Sequence, residues 1–507
     1  MKKFDSLVYL IGSMSKSEKK SFALSIAKNG TEQDYVVLYR LIARSDSVNE
    51  TAIRNAFQKE ARGQSFDISM HYLYDRILDV LVSLRRRKTV TEDLTRQVSI
   101  ARILYERDMF YECFELLDRI LKVAREHEAY EILFFAMRLK REYLLGLNFP
   151  NMTEQDLYHI HHEQKEIIRN IQKITEQGSL FDLLKYRLVH RGNVRSEKQK
   201  EELNDLMVRE LYISASFGNS GNIFEIAKNH RLFQASYLMG VGESVSALNS
   251  FRELVRLFDE NPQFRANPPI YHLSVLEGIL HMLRSSRNYD EMDYFRRKLE
   301  ALSQGHSREF KENVACLAFQ YEMFPYFDRG DYAACRDLMG AHKELYDNID
   351  RLSSLRKSEL LLYTALVHVG LGEYSQAKKQ INSILFDRNI EYLPIMKTIR
   401  LVRLMVYYEL ESFDLLQYEI RSIRRGLALK KEQAFKTEYL MLRFLGNENL
   451  SLASGKAHAR IYEQIEALHN DKYEMQLLVL FDFTAWIESK LKKLPLGMVL
   501  SRYRGGF

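Results

Sequence analysis

The chain has 507 residues, enough to bury a large core and more than one small domain needs. Seven prolines, 22 glycines, 46% hydrophobic and 28% charged residues exclude a largely disordered chain. Leu, Tyr, Phe, Lys, Arg and Glu abound without alternating runs of Val, Ile and Thr, which predicts helix rather than sheet, and a net charge of +6 favours acidic partners only weakly.

The three cysteines, Cys113, Cys316 and Cys335, show no CxxC spacing. They argue against a disulfide framework or a zinc site and fit a reducing compartment. Met1-Lys2-Lys3 ahead of Leu7–Ile11 imitates a signal peptide, but the apolar part is short and runs into Lys16, Lys19 and Lys20. The most apolar later stretch, Leu477–Ile487, is interrupted by Asp482 and is too short to cross a bilayer. The expectation is a cytoplasmic chain with no membrane insertion.

Residues 1–90 read as an N-terminal helical bundle or cap. Ser15-Lys16-Ser17-Glu18 is a capping box, in which a serine oxygen and a glutamate carboxylate satisfy the open amides of a helix start. Thr31–Asp34 and Ser47–Glu50 repeat the signal before Tyr35–Ala43 and Thr51–Phe57. A longer helix over Asp67–Arg87 carries Ile68, Tyr72, Ile77, Leu78 and Leu81 near helical spacing and ends in the basic run Arg85–Lys88.

Helix pairs follow over 91–222. Leu94–Tyr105 and Tyr111–Arg125 form one, with Ala101 and Cys113 twelve residues apart and Phe110 in the turn. Ala129–Leu147 stops at Asn148-Phe149-Pro150, Thr153 to Asp156 caps a long helix through Gln177, and Gly192 and Ser196 separate two more.

Over 223–470 the pattern sharpens. Ala235 and Ala247 are again twelve apart with Gly242 between them, and Phe251 is large on the second helix. Turn aromatics recur at Tyr289, Tyr332, Tyr374 and Phe413, at intervals of 43, 42 and 39 residues. A steady period of about 40 marks a helical solenoid. The last pair is Ala434–Leu445 with Lys456–Leu468. Residues 471–507 are a closing helix, Tyr473–Lys492, and a tail; Leu477, Leu480, Phe481, Thr484, Ile487 and Leu491 share one side of that helix.

The clearest unit is Leu360–Phe386. Its small residues Ala365 and Ala377, turn glycine Gly372, turn aromatic Tyr374 and large Ile381 stand where a tetratricopeptide repeat has them, and Gly370 and Gly372 suit a turn that needs positive φ. The chain resembles that family over about 220–450 and 94–126, with helices longer than the family's period of about 34 allows. Met292 and Leu416 depart from the pattern, replacing the small residue of the second helix. The helical start SKSEKK also resembles that of bacterial proteins with degenerate repeats. The resemblance implies an all-α fold, a right-handed α-solenoid of antiparallel, TPR-like helix pairs behind the N-terminal bundle.

Catalytic signatures are sparse. His159, His162 and Glu166 share a helix face that can hold a metal, yet the sequence is not HExxH and a polar helix surface accounts for it. Gly240-Val241-Gly242 and Gly370-Leu371-Gly372 lack the lysine of a phosphate loop, no GxSxG occurs, and Cys316 and Cys335 fit helix packing. The expectation is a non-enzyme without cofactor, metal or catalytic residues. Basic runs at Arg85–Lys88, Arg421 to Arg425 with Lys430 and Lys431, and Lys490–Lys493 with Arg502 and Arg504 can attract phosphate, but each also closes a helix, where cations belong. Nucleic acid is a possible partner and not the favoured one. Tyr105, Phe233, Phe319 and Tyr363 fall on buried helix periods.

The family resemblance implies a protein or peptide partner held on the concave wall of first helices. Carried over position by position, the wall offers Arg102, Asn229, Ser236, Glu277, His281, Arg284, Gln320 and Tyr408. The expected function is a protein-interaction scaffold or adaptor. The alternative is a regulator whose N-terminal bundle touches nucleic acid while the repeats sense a peptide.

Overall fold

The computed structural model describes residues 3–29, 33–44, 49–61, 63, 65–85, 89–192, 194–216, 223–265, 269–304, 307–386, 390, 393, 395–429, 434–446 and 456–502. Among the described residues every regular element is a helix, and the chain divides into two compact units, Met1–Ile167 and Ile168–Phe507.

The first unit opens with α1 (Lys3–Ser13), α2 (Lys16–Asn29), α3 (Asp34–Arg44), α4 (Glu50–Glu60) and α5 (Phe66–Arg85). Leu7, Phe22, Leu38, Phe57, Leu73 and Ile77 fill their shared core. The capping box at Ser15 forms in both directions, Ser15 N donating to Glu18 Oε2 at 2.8 Å and Glu18 N to Ser15 Oγ at 3.2 Å. Helix α4 is capped by Asn49, whose Oδ1 accepts from Thr51 N at 2.9 Å, rather than by Ser47, which lies outside the described residues, as does Thr31. On α5 the buried stripe is Phe66, Met70, Leu73, Ile77 and Val80, so Ile68, Tyr72 and Leu78 face solvent. Of the spacing read from the sequence, Ile77 alone is buried, because Phe66 and Leu73 set the helix phase. Next come α6 (Val90–Glu106), α7 (Phe110–Glu126), α8 (Tyr130–Gly146) and the first part of α9 (Glu154–Arg191), which Thr153 and Asp156 cap reciprocally.

The second unit contains the rest of α9. The sequence ends this helix at Gln177, but it runs on to Arg191 because Leu180, Leu184 and Leu188 continue the buried spacing past Gly178. After α10 (Glu197–Glu201) and α11 (Asn204–Ser216) come α12 (Phe224–Gly240) with α13 (Ser244–Glu260) and α14 (Pro269–Ser285) with α15 (Tyr289–Leu302). Then follow α16 (Arg308–Arg329) with α17 (Tyr332–Ala341), the short α18 (Lys343–Asp347), α19 (Ser354–Gly370) with α20 (Tyr374–Leu385) and α21 (Ile395–Glu409) with α22 (Phe413–Leu429). Each of these pairs packs together, and the first helices α14, α16, α19 and α21 also pack in succession. Last are α23 (Lys436–Gly446), α24 (Lys456–His469), α25 (Lys472–Leu478), α26 (Phe483–Lys492) and α27 (Leu496–Arg502).

The pairs share one turn. Two residues before the second helix stands a residue of positive φ: Asp108, Gly242, Arg287, Gly330, Gly372 and Glu411. The next amide donates back five residues, as Glu373 N does to His368 O at 2.8 Å and Asn288 N to Leu283 O at 2.9 Å, which satisfies a carbonyl the helix end leaves open. Three residues into the second helix come Cys113, Ala247, Met292, Cys335, Ala377 and Leu416, and twelve residues before them Ala101, Ala235, Leu280, Met323, Ala365 and Leu404; all are buried. The departures at Met292 and Leu416 therefore fill the same joint with larger side chains. Gly370 differs from its expected role: it ends α19 without positive φ, and a Cβ there would stand 2.2 Å from the Tyr332 ring, so its work is close packing.

The expected single closing helix over 473–492 is broken. Asp482 Oδ1 accepts from Thr484 N and Ala485 N and starts α26 afresh. The segment runs across turn ends of earlier helices: Gln476 Nε2 donates to Val194 O at 3.0 Å, Lys472 pairs with Glu243 at 2.8 Å, Phe481 packs on Phe327, and Trp486 Nε1 donates to Glu409 at 2.9 Å. Residues 483–489 are all buried, so this segment is core.

Gly372→Ala should lower stability by about 1 kcal/mol, the cost of a left-handed Cβ in open space. Gly330→Ala should cost more, since its Cβ would meet Gly497 Cα at 2.6 Å. Arg287→Gly should instead stabilise, by about 1 kcal/mol. Urea midpoints of the three variants check the order.

Candidate functional site

A cavity of about 600 Å3 opens in the second unit. Its wall is built from first helices of consecutive pairs, α12, α14, α16 and α19, together with α9 and α25. Residues four apart on each first helix point the same way, so Glu277 and His281 on α14 and Gln320 and Phe324 on α16 reach one space. Leu232, Met239, Met282, Leu317 and Phe324 supply apolar surface. The volume is that of an ordinary small-ligand or short-peptide site.

Arg284 anchors one side. Its Nε and Nη2 donate to Asp328 at 3.1 and 3.0 Å, Nη1 donates to Tyr363 Oη at 3.0 Å, and the guanidinium lies 3.6 Å from the Phe324 ring centroid. Arg356, on the first turn of α19, sits between two carboxylates, Glu277 at 2.5 Å and Glu359 at 2.8 Å. Burial pushes the Glu359 carboxyl up, opposed by Arg356 and reinforced by Glu277. Lys185 of α9 faces the same cavity; burial pulls its ammonium down, and Glu277 acts on it only through space. Burial, with Arg284 beside it, pulls His281 down to about 4, so its imidazole is neutral at pH 7. Gln320 is 3% exposed and its amide nitrogen has only the Cys316 sulfur, at 4.0 Å.

Five of the eight wall residues named from the sequence, Ser236, Glu277, His281, Arg284 and Gln320, line this cavity. The other three lie elsewhere. Arg102 is exposed on α6 in the first unit, its guanidinium 5.0 Å from the Phe135 ring centroid. Asn229 is buried on α12 beside Gly178 of α9. Tyr408 is half-buried, edge-on to Trp486 of α26. Lys185, Arg356, Glu359 and the α25 residues were not legible as wall residues. Lys185 lies beyond the predicted end of its helix, and Arg356 and Glu359 precede the stretch in which the repeat pattern is clear.

The remaining candidates take structural places. Cys316 and Cys335 are buried, and burial pushes both thiols up to about 12, so neither is a thiolate at neutral pH. His159 and His162 are exposed on α9, and among the described residues no three His, Cys, Asp or Glu side chains converge on a metal-sized site. Phe233, Phe319 and Tyr363 are buried, while Tyr105 is half-buried and stacks on Tyr143 at 3.6 Å. Of the basic runs, Lys490 pairs with Glu409, Lys492 with Glu488, and Arg424 donates to Leu442 O at 3.2 Å. The side chains of Arg85–Lys88, Lys430, Lys431, Arg502 and Arg504 lie outside the described residues. No helix among the described residues is long and apolar enough to cross a membrane. No protein-family model matches the chain, and no curated protein matches it.

Asp328→Ala strands a buried guanidinium and should cost about 3–5 kcal/mol, whereas Tyr363→Phe, which removes one hydrogen bond, should cost about 1 kcal/mol; denaturant titration separates them. Between the ordinary 6.5 and about 4, the unfolded chain takes up a proton that folded His281 refuses, so this group's contribution to stability is present above that window and is lost as pH falls through it. The buried His272 behaves alike, drawn down to about 4 by burial and then by Arg265. NMR titration should place both folded-state midpoints near 4, well below free histidine.

Proposed function

We propose that the second unit is a peptide-binding module whose inner wall, formed by first helices of successive pairs, holds its partner in the cavity beside Arg284 and Arg356. The protein then acts by binding, as a scaffold or adaptor, and not by catalysis. One observation carries this reading: side chains from consecutive pairs converge on a single space, and among the described residues Gln476 Oε1, on its lining, is buried with no hydrogen-bond partner. Gln320, buried with only the weak Cys316 sulfur on its amide nitrogen, also fits, since poorly partnered buried polar groups are costly and a ligand's backbone amides would satisfy them. The half-apolar lining suits side chains of a peptide, and the volume suits a short one.

A mixture of random short peptides offered to the purified chain, with bound species read by mass spectrometry, tests this. Ser274 is exposed on α14 and lines the cavity, so Ser274→Trp blocks the space without disturbing the core. The unaltered chain should retain a restricted set that Ser274→Trp loses and Gln320→Leu weakens. Retention indifferent to both substitutions, or none at all, overturns the proposal.

A further inference from the structure

The charges around the cavity balance in number but not in place. Arg284 is fully met by Asp328, so it leaves nothing over. Arg356 gives Nη2 to Glu277 Oε2 at 2.5 Å and Nη1 to Glu359 Oε2 at 2.8 Å, so two carboxylates share one guanidinium. Each carboxylate keeps an Oε1 with no donor among the described residues. Lys185 has the reverse situation: among the described residues its ammonium has no hydrogen-bond or ion-pair partner, and it lies 5.6 Å from the Phe181 ring centroid. One negative charge is thus in excess beside Arg356 and one positive charge at Lys185.

We infer that the cavity takes a short peptide free at both ends, its ammonium on the carboxylate oxygens of Glu277 and Glu359 that Arg356 leaves open and its carboxylate on Lys185. This deepens the peptide-binding reading and rests on it. A ligand with one charge leaves the other excess unmet on a partly buried wall, where it costs more than in open water, whereas a zwitterion meets both. An internal segment of a larger protein carries neither terminal charge, so this cavity suits a free peptide better than a threaded loop. Apolar residues such as Met239, Met282 and Phe324 contact the side chains between the two ends. Burial drives Lys185 and Glu359 toward their neutral forms, as it must while each lacks a full counter-charge, and a bound zwitterion would restore both.

The test uses the full chain and a random tripeptide mixture in four forms: free, N-acetylated, C-amidated and capped at both ends. Free tripeptides should bind, and each cap should weaken binding by about tenfold or more. Lys185→Met should abolish discrimination against the amide and keep discrimination against the acetyl cap; Glu359→Gln should do the opposite. Lys185→Met should also raise the melting temperature, because it removes a half-buried ammonium without a partner among the described residues, a gain that a purely structural lysine would not show. Doubly capped tripeptides binding as tightly as free ones, with Ser274→Trp still blocking them, overturn the zwitterion inference and leave peptide binding standing. Loss of any Ser274→Trp sensitivity overturns both.

Discussion

Arg284 reaches from α14 to Asp328 on α16, to Tyr363 on α19 and to the carbonyl of Leu480 beyond α25, with its flat face on Phe324. Four segments separated by up to 196 residues thus meet at one guanidinium. Such a buried pair contributes little net stability over an apolar filling of the same volume, because both charges must leave water. Its weight falls on alternatives. If α14 slipped one turn against α16 or α19, a charge would be enclosed with no partner, at a cost comparable to a small domain's whole stability. Regular helix pairs have many near-equivalent ways to stack, and this network admits one alignment.

The turn edge imposes the same discipline by different means. Six turns repeat one backbone path, and glycine occupies the left-handed position in three of them while Asp108, Arg287 and Glu411 occupy the others. Backbone hydrogen bonding, not residue identity, therefore defines the turn, and the chain tolerates strain of about 1 kcal/mol at each non-glycine site. Across this edge lies the segment α25–α27. Gly330 and Gly497 approach so closely that neither position has space for a Cβ, which fixes where the segment crosses. Trp486, 1% exposed, then seals its far part against Glu409, Tyr408 and Phe444.

Local signals carried far in the sequence. Capping boxes, turn aromatics and the twelve-residue spacing are short-range consequences of helix geometry, and they placed Ala101, Ala235, Ala365 and their partners in buried joints. Contacts spanning hundreds of residues leave no such periodic trace. Asp482 is a local signal for a fresh helix start, but nothing near Leu477 announces that Gln476 will bond Val194. Tyr408 illustrates the limit: it has the phase of a wall residue, but the returning α26 covers it. Lys185 shows the converse, since Gly178 reads as a helix end until Leu180, Leu184 and Leu188 are seen to be buried on one face.

Those long-range contacts also decide what the cavity is. Without α25, the first helices would present a more open wall. Residues Lys472, Met475, Gln476 and Leu480 add a further side to the cavity, and this partial burial makes the uneven placement of Lys185, Glu277 and Glu359 more costly than it would be on an open surface. The same side chains on a solvated surface would ask for nothing, because water screens single charges at little cost. On the peptide-binding reading proposed above, selectivity would depend as much on the segment that narrows access to solvent as on the groups that touch the peptide.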